Sequence, residues 1–341
     1  MLKKIKDWLG SGAISDVAAE ELWIKPFNEA TTKDDIFHCF RLILGRNPNR
    51  EEWPGHFGRV GENLEIVVKS YLRSLEFSNR KILTNGMSSH LSIVDLPGFY
   101  LYVSIDDLDV GQHVRNGVYE TDVTCIFRKY LKPNMAVIDI GANIGYFTCL
   151  SASIVGSGGH VMAIEPNPQN VRMMEASRRL NDFTQVTIVQ VAAGRETGLL
   201  ALHAAQSNGT TSSPHGDIDV LLASQTVPCL AVDSIVPQTR RIDLIKMDIE
   251  GAEYNAFQGI LGIIARDKPI IISEFSPDMM PSISGVSGPE YIDCIIAQNY
   301  EIGVIQSDGS VSKMTPSSKT VMDAYFSRGR DHIDILALPI K

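Results

Sequence analysis

The chain has no Cys-x-x-C pair, no apolar run of the roughly 20 residues that span a bilayer, and no surplus of basic residues. Each absence excludes a class. Five cysteines, Cys39, Cys125, Cys149, Cys229 and Cys294, are odd in number and lack metal-ligand spacing. They read as reduced core residues of a cytoplasmic protein, with neither a zinc site nor a disulfide framework. Forty acidic against 31 basic residues leave a net charge of −9, which argues against a sequence-independent nucleic-acid surface. Met1 to Leu9 carries lysines but lacks the apolar core and cleavage site of a signal peptide, and reads as a frayed first helix.

With 341 residues and 44% hydrophobic content, the chain has room for two domains. Residues 1 to about 90 show helical spacing without strand alternation. Apolar residues at Ile36, Phe37, Phe40, Ile43 and Leu44 share one helix face, closed by Gly45, and Glu62 to Phe77 repeats the pattern. Thr84 to Ser89 reads as a linker to a second domain, 91–341.

That domain is organised around Val137 to Thr148. Met135 to Ile140 is a short apolar run broken only by Asp139, the pattern of a strand buried on both faces of a parallel sheet. Gly141 and Gly145 then allow a sharp turn and a close ligand approach at the start of a helix containing Thr148. A dinucleotide turn requires G-x-G-x-x-G, but Asn143 and Tyr146 occupy the second and third glycine positions. Asp139 would also sit badly beside a diphosphate and well beside a cation, such as the ammonium and sulfonium of S-adenosylmethionine. His160 to Glu165 reads as the next strand, ending in a carboxylate at the distance where a ribose diol is bound. Pro166 and Asn167 would form one wall of an adenine slot.

The motifs Asp139 to Tyr146, Glu165-Pro166-Asn167-Pro168 and Lys246 to Glu253, in this order, resemble the FkbM family of S-adenosylmethionine-dependent methyltransferases from about Gly117 onward. The resemblance implies a Rossmann-like class I methyltransferase fold, α/β, with a doubly wound seven-stranded sheet preceded by the small all-α domain. It places Glu120 near the cofactor and the end of the strand Val186 to Ala193, at Ala192, facing the adenine. Asp233 also matches a family position, where it reads as an N-cap. Leu44 to Pro48 and Ser74 to Phe77 are similar to a short helical domain found beside enzymes of bacterial surface-carbohydrate assembly. That likeness implies docking to such enzymes through residues 33–83.

A strand from Ile242 to Met247 delivers Asp248 to the carboxyl end of the sheet, and Pro269 to Ser273 delivers Glu274. Four carboxylates, Asp139, Glu165, Asp248 and Glu274, therefore meet at one sheet edge, where unpaired charges are costly. Methyl transfer to a hydroxyl needs an aligned acceptor and a place for its proton. Asp248 is the first candidate for that role and Glu274 the second. Lys246, on the same face as Asp248 by the period of two, is the third candidate, to orient the acceptor oxygen or pair with a neighbouring carboxylate. Two carboxylates without a third fixed ligand do not define a metal site.

Gln206 to Ser224, rich in Ser, Thr, Asn and Gly, reads as a candidate lid containing His215, and Gln306 to Ser318 as part of an acceptor rim. Two strands, Tyr300 to Ile305 and Ile333 to Leu338, should complete the sheet, the reversed one at its edge. The expected function is an O-methyltransferase acting on a hydroxyl of a glycan or small molecule. The rivals are a nicotinamide enzyme on a related sheet and a catalytically idle S-adenosylmethionine-binding partner of glycan-assembly enzymes.

Overall fold

The computed structural model describes residues 27–80, 91–204, 207–212, 218 and 225–340. Met1 to Leu9, Thr84 to Ser89 and His215 lie outside them. The chain divides into two compact units, Met1–Ser89 and His90–Lys341.

In the first unit, Thr32 and Asp35 form a capping box that starts α1 (Lys33–His38). The chain continues through a π-helical turn, Cys39–Leu44, and stops at Gly45. Helices α2 (Trp53–Phe57), α3 (Leu64–Leu72) and α4 (Leu75–Arg80) follow. The single helix expected over Glu62 to Phe77 is thus two. Ser74 divides it, because its hydroxyl accepts the Phe77 N–H at 3.1 Å and caps α4. Ile36, Phe40, Val67, Tyr71 and Phe77 form the core.

The second unit opens with a hairpin, β1 (Leu91–Leu96) and β2 (Phe99–Ser104), turning at Pro97-Gly98. Helix α5 (Thr121–Tyr130) leads into β3 (Ala136–Ile140), α6 (Tyr146–Val155), β4 (His160–Ile164), α7 (Pro168–Leu180) and β5 (Val186–Val189). Val123, Ile126 and Phe127 give α5 its buried face. Cys125 falls on the other side and is exposed, contrary to its expected core position. The other four cysteines are buried or half-buried, and all five are free.

The strand expected over Val186 to Ala193 breaks after Val189. A tight turn there, with the Val191 N–H on the Val189 carbonyl at 3.0 Å, sends β6 (Ala192–Ala193) into a second sheet. This sheet also holds β7 (Gly198–Ala204), β8 (Gly209–Ser212) and β9 (Gln225–Leu230), in the order β6-β9-β7-β8.

The chain then returns through β10 (Leu244–Met247), α8 (Glu253–Gln258), α9 (Leu261–Asp267), β11 (Ile270–Phe275), α10 (Gly288–Ala297), β12 (Tyr300–Val304), α11 (Ser318–Arg328) and β13 (Ile333–Pro339). The main sheet has seven strands in the order β12-β13-β11-β10-β3-β4-β5. Only β13 runs against its neighbours. It lies one position in from the edge, not at the edge as expected, because consecutive residues Ile335, Leu336 and Ala337 are all apolar and fully buried. One face of the sheet packs Ile138, Ile245, Ile271 and Ile335 against α8, α9 and α10. The other packs Val137, Leu244, Ile272 and Leu336 against α5, α6 and the hairpin.

Gly141, just past β3, has φ +78°, and a Cβ there would lie 1.8 Å from the Asp248 carbonyl oxygen. Gly141→Ala should therefore destabilise the domain by about 2–4 kcal/mol in denaturant titration, from left-handed strain and overpacking together.

Candidate cofactor and acceptor site

Parallel strands deliver their carboxyl ends to one rim, where a cavity of about 330 Å³ opens. At one end, β3 supplies the Gly141 turn, packed against the backbone that follows β10. Asn143 takes φ +49° in that turn and donates its N–H to Glu165 Oε2 at 2.9 Å. Glu165, at the end of β4, also accepts the Asn167 N–H on Oε1 at 2.8 Å. Burial lifts its carboxyl to about 7 despite these donors. Gly141, Asn143, Glu165, Pro166, Asn167 and Ala192 all line this end. Asn208, from the turn between β7 and β8, reaches over it and accepts from Asn143 Nδ2 at 2.9 Å.

Gly145 does not line the cavity. It caps α6 with φ +93°, and its missing side chain admits Met174 of α7, whose Cγ would lie 2.6 Å from an added Cβ. Asp139 and Thr148 are likewise buried away from the cavity, joined by the Thr148 hydroxyl donating to Asp139 Oδ2 at 2.6 Å. Asp139 Oδ1 has no hydrogen-bond partner.

At the other end, strand register decides what meets. Lys246 of β10 pairs with Asp139 of β3, and its side chain shares a face with Asp248, two residues on. Lys246 is 4% exposed, and its Nζ donates to Asp248 Oδ2 at 2.7 Å and lies 4.7 Å from the Phe147 ring centroid. Burial disfavours the Asp248 carboxylate, but the Lys246 charge holds it below the ordinary carboxylate range. Glu274 of β11 is hydrogen-bonded to Asp248 and accepts from the Ser276 hydroxyl at 2.5 Å. Burial, then the Asp248 charge, pushes Glu274 far up, so it keeps its proton and donates to Asp248. Glu120, the left-handed cap of α5, is raised by burial to about 8 and is hydrogen-bonded to Tyr119.

Sequence reasoning brought Asp248, Glu274, Glu120 and Glu165 to this cavity and missed Asp334. The missed signal was direction: a reversed strand begins where its parallel neighbours end, so the start of β13 had to reach this rim. Asp334 pairs with Glu274 across β11 and β13, and burial followed by the Asp248 charge raises it to about 7. Residues 306–318, expected at the acceptor rim, do not line the cavity; Asp331 and His332 do. Glu250 lines it too. Glu253 instead accepts the Ile249 and Gly251 N–H groups at 2.9 and 3.2 Å, closing the loop beneath. Asp233 caps α9 rather than its own turn, accepting from Gly262 and Ile263 at 2.7 and 2.9 Å. Among the described residues, no three His, Cys, Asp or Glu side chains are placed to hold a metal.

Residues 139–306 match the family described as the methyltransferase FkbM domain, and this stretch is a methyltransferase domain of that family. The chain is 25% identical over 192 residues to "Protein-L-isoaspartate O-methyltransferase 1" of Arabidopsis thaliana, covering 53% of this chain and 74% of that protein. It is 26% identical over 144 residues to "Methyltransferase 1" of Beauveria bassiana, covering 36% and 57%. A crystal structure of methyltransferase FkbM from Methylobacillus flagellatus aligns with a TM-score of 0.39 and 16% identity, over 88% of this chain and 58% of its own.

Glu120, Glu165, Glu253 and Asp334 are all raised, so the folded chain holds protons that the unfolded chain has released. Their contribution to stability is present below the ordinary carboxylate range and is lost as pH rises through about 7 to 8. Thermal melts of the ligand-free protein should move to lower temperature between about pH 5 and pH 8.

Proposed function

We propose that this chain, with its FkbM methyltransferase domain, transfers the methyl of S-adenosylmethionine to a hydroxyl of a glycan or other small molecule. The observation that carries the reading is Asp248, exposed to the same cavity as Glu165 and fixed from below by Lys246. The residues fit the cofactor. Glu165 offers carboxylate oxygens at the distance from the glycine turn where a ribose diol is bound, and Pro166, Asn167 and Ala192 flank it as an adenine slot. Glu120, with Asp139 below the floor, supplies carboxyl groups whose ionisation a sulfonium and an ammonium would favour. A diphosphate in this cavity would meet the same carboxylates unfavourably, which counts against a nicotinamide enzyme.

When bound, S-adenosylmethionine supplies a methyl on a sulfonium, already a good electrophile. The protein's part is alignment and proton handling. The acceptor hydroxyl donates a hydrogen bond to the Asp248 carboxylate, which Lys246 keeps charged and in place. As the new C–O bond forms, the hydroxyl proton passes to Asp248, and the cofactor leaves as a neutral thioether. Glu274 steadies Asp248 from the other side. Carboxylates rather than lysines face the acceptor, which disfavours nucleic acid. Residues 33–83 would serve as a docking module for glycan-assembly enzymes. Among the described residues no helix is long and apolar enough to cross a membrane.

Incubation with labelled methyl donor and fractionated bacterial metabolites and glycans tests the reading directly. Asp248→Asn should lower turnover by about 10²–10⁴-fold. Its affinity for S-adenosylhomocysteine should stay within about threefold. Turnover at the unsubstituted rate would remove Asp248 from the reaction, and cofactor binding without transfer to any fraction would favour an idle binding partner.

A further inference from the structure

Among the described residues, eight carboxylates and no lysine or arginine line the cavity. Five have assigned company: Glu165 accepts two backbone N–H groups, Asp248 has Lys246, Glu274 has Ser276 and Asp248, Glu120 has Tyr119, and Asp331 has His332. Asp109, Glu250 and Asp334 accept no hydrogen bond on their carboxylates among the described residues, and of the three only Asp334 stands in register with Glu274, across β11 and β13. The nearby cations act on Asp334 only through space, Lys246 bonded to Asp248 and Arg328 to the Ile305 carbonyl. Asp334 is half-buried and faces the cavity, so a ligand entering there meets an acceptor that no protein donor occupies.

The methyl donor cannot be that ligand. β13 lies four strand positions from β4, roughly 19 Å at ordinary sheet spacing. A cofactor anchored at Glu165 would not reach so far with its methionine arm. Asp334 therefore faces the acceptor, with Glu274 directly opposite it in the β11–β13 register.

We propose that Asp334 and Glu274 form a subsite for a protonated amine on the methyl acceptor, so that the substrate class is an amino sugar or another amino alcohol. The inference rests on the methyltransferase reading and deepens it. An ammonium group brings three donors, enough to satisfy Asp334 and still reach Glu274 while the neighbouring hydroxyl meets Asp248. The same charge pattern repels acceptors carrying phosphate or carboxylate at this end. The raised affinity of Asp334 for protons, caused by burial and then by Asp248, is what an acidic site shows before a cation arrives.

The test is calorimetric binding of glucosamine, N-acetylglucosamine and glucose to the full chain saturated with S-adenosylhomocysteine. Glucosamine should bind at least about tenfold tighter than either neutral sugar, the scale of one charge-assisted hydrogen bond. Asp334→Asn should erase that preference and leave S-adenosylhomocysteine affinity unchanged. An equal response to the three sugars, including no response to any, overturns the proposal without recourse to a variant; so does an Asp334→Asn protein that keeps the preference. Failure of the methyltransferase reading would appear separately, as no binding of S-adenosylhomocysteine.

Discussion

A single buried ammonium makes this site possible. Lys246 lies under the cavity floor, bonded to Asp248, with Asp139 opposite on β3 and the Phe147 ring beside it. The attraction of Asp248, Glu120 and Asp139 outweighs its burial and keeps it protonated. Without that charge, a sheet edge carrying so many carboxylates would have to hold all of them protonated, and none could orient a hydroxyl. Lys246 lets one carboxylate stay ionised while its neighbours keep their protons. The rim thereby holds one charged carboxylate among neutral ones.

Much of this was legible because strands carry their own bookkeeping of faces. Period-two alternation placed Lys246 and Asp248 together, and apolar runs ending in acids located Glu165, Asp248 and Glu274. What escaped depended on long-range pairing. Asp334 belongs to the site only because β13 enters from the opposite direction between β11 and β12, a fact no local window contains. The second sheet was invisible for a similar reason: β6 has two residues and forms only by pairing with β9, more than 30 positions away. Gly145 was read as making room for a ligand, whereas it makes room for Met174. A close approach is visible in a sequence, but the identity of the approaching group is not.

The same contrast separates the two units. In the first, local signals decided the structure, since Thr32, Asn63 and Ser74 each start a helix through a side-chain oxygen within three residues. In the second, the backbone turns that shape the cavity, at Gly141, Asn143 and Glu250, all take positive φ under the pressure of distant neighbours.

The placement of β13 also bears on how the molecule assembles. β12 has no neighbour in the sheet except β13, so it cannot join until a strand made later in synthesis has slotted in beside β11. A nascent chain holding everything up to Val304 would carry the glycine turn and Glu165 but an unfinished rim and an unsealed apolar seam along β11. The half of the rim around Glu165 can form early, whereas the half around Glu274 and Asp334 is the last to close.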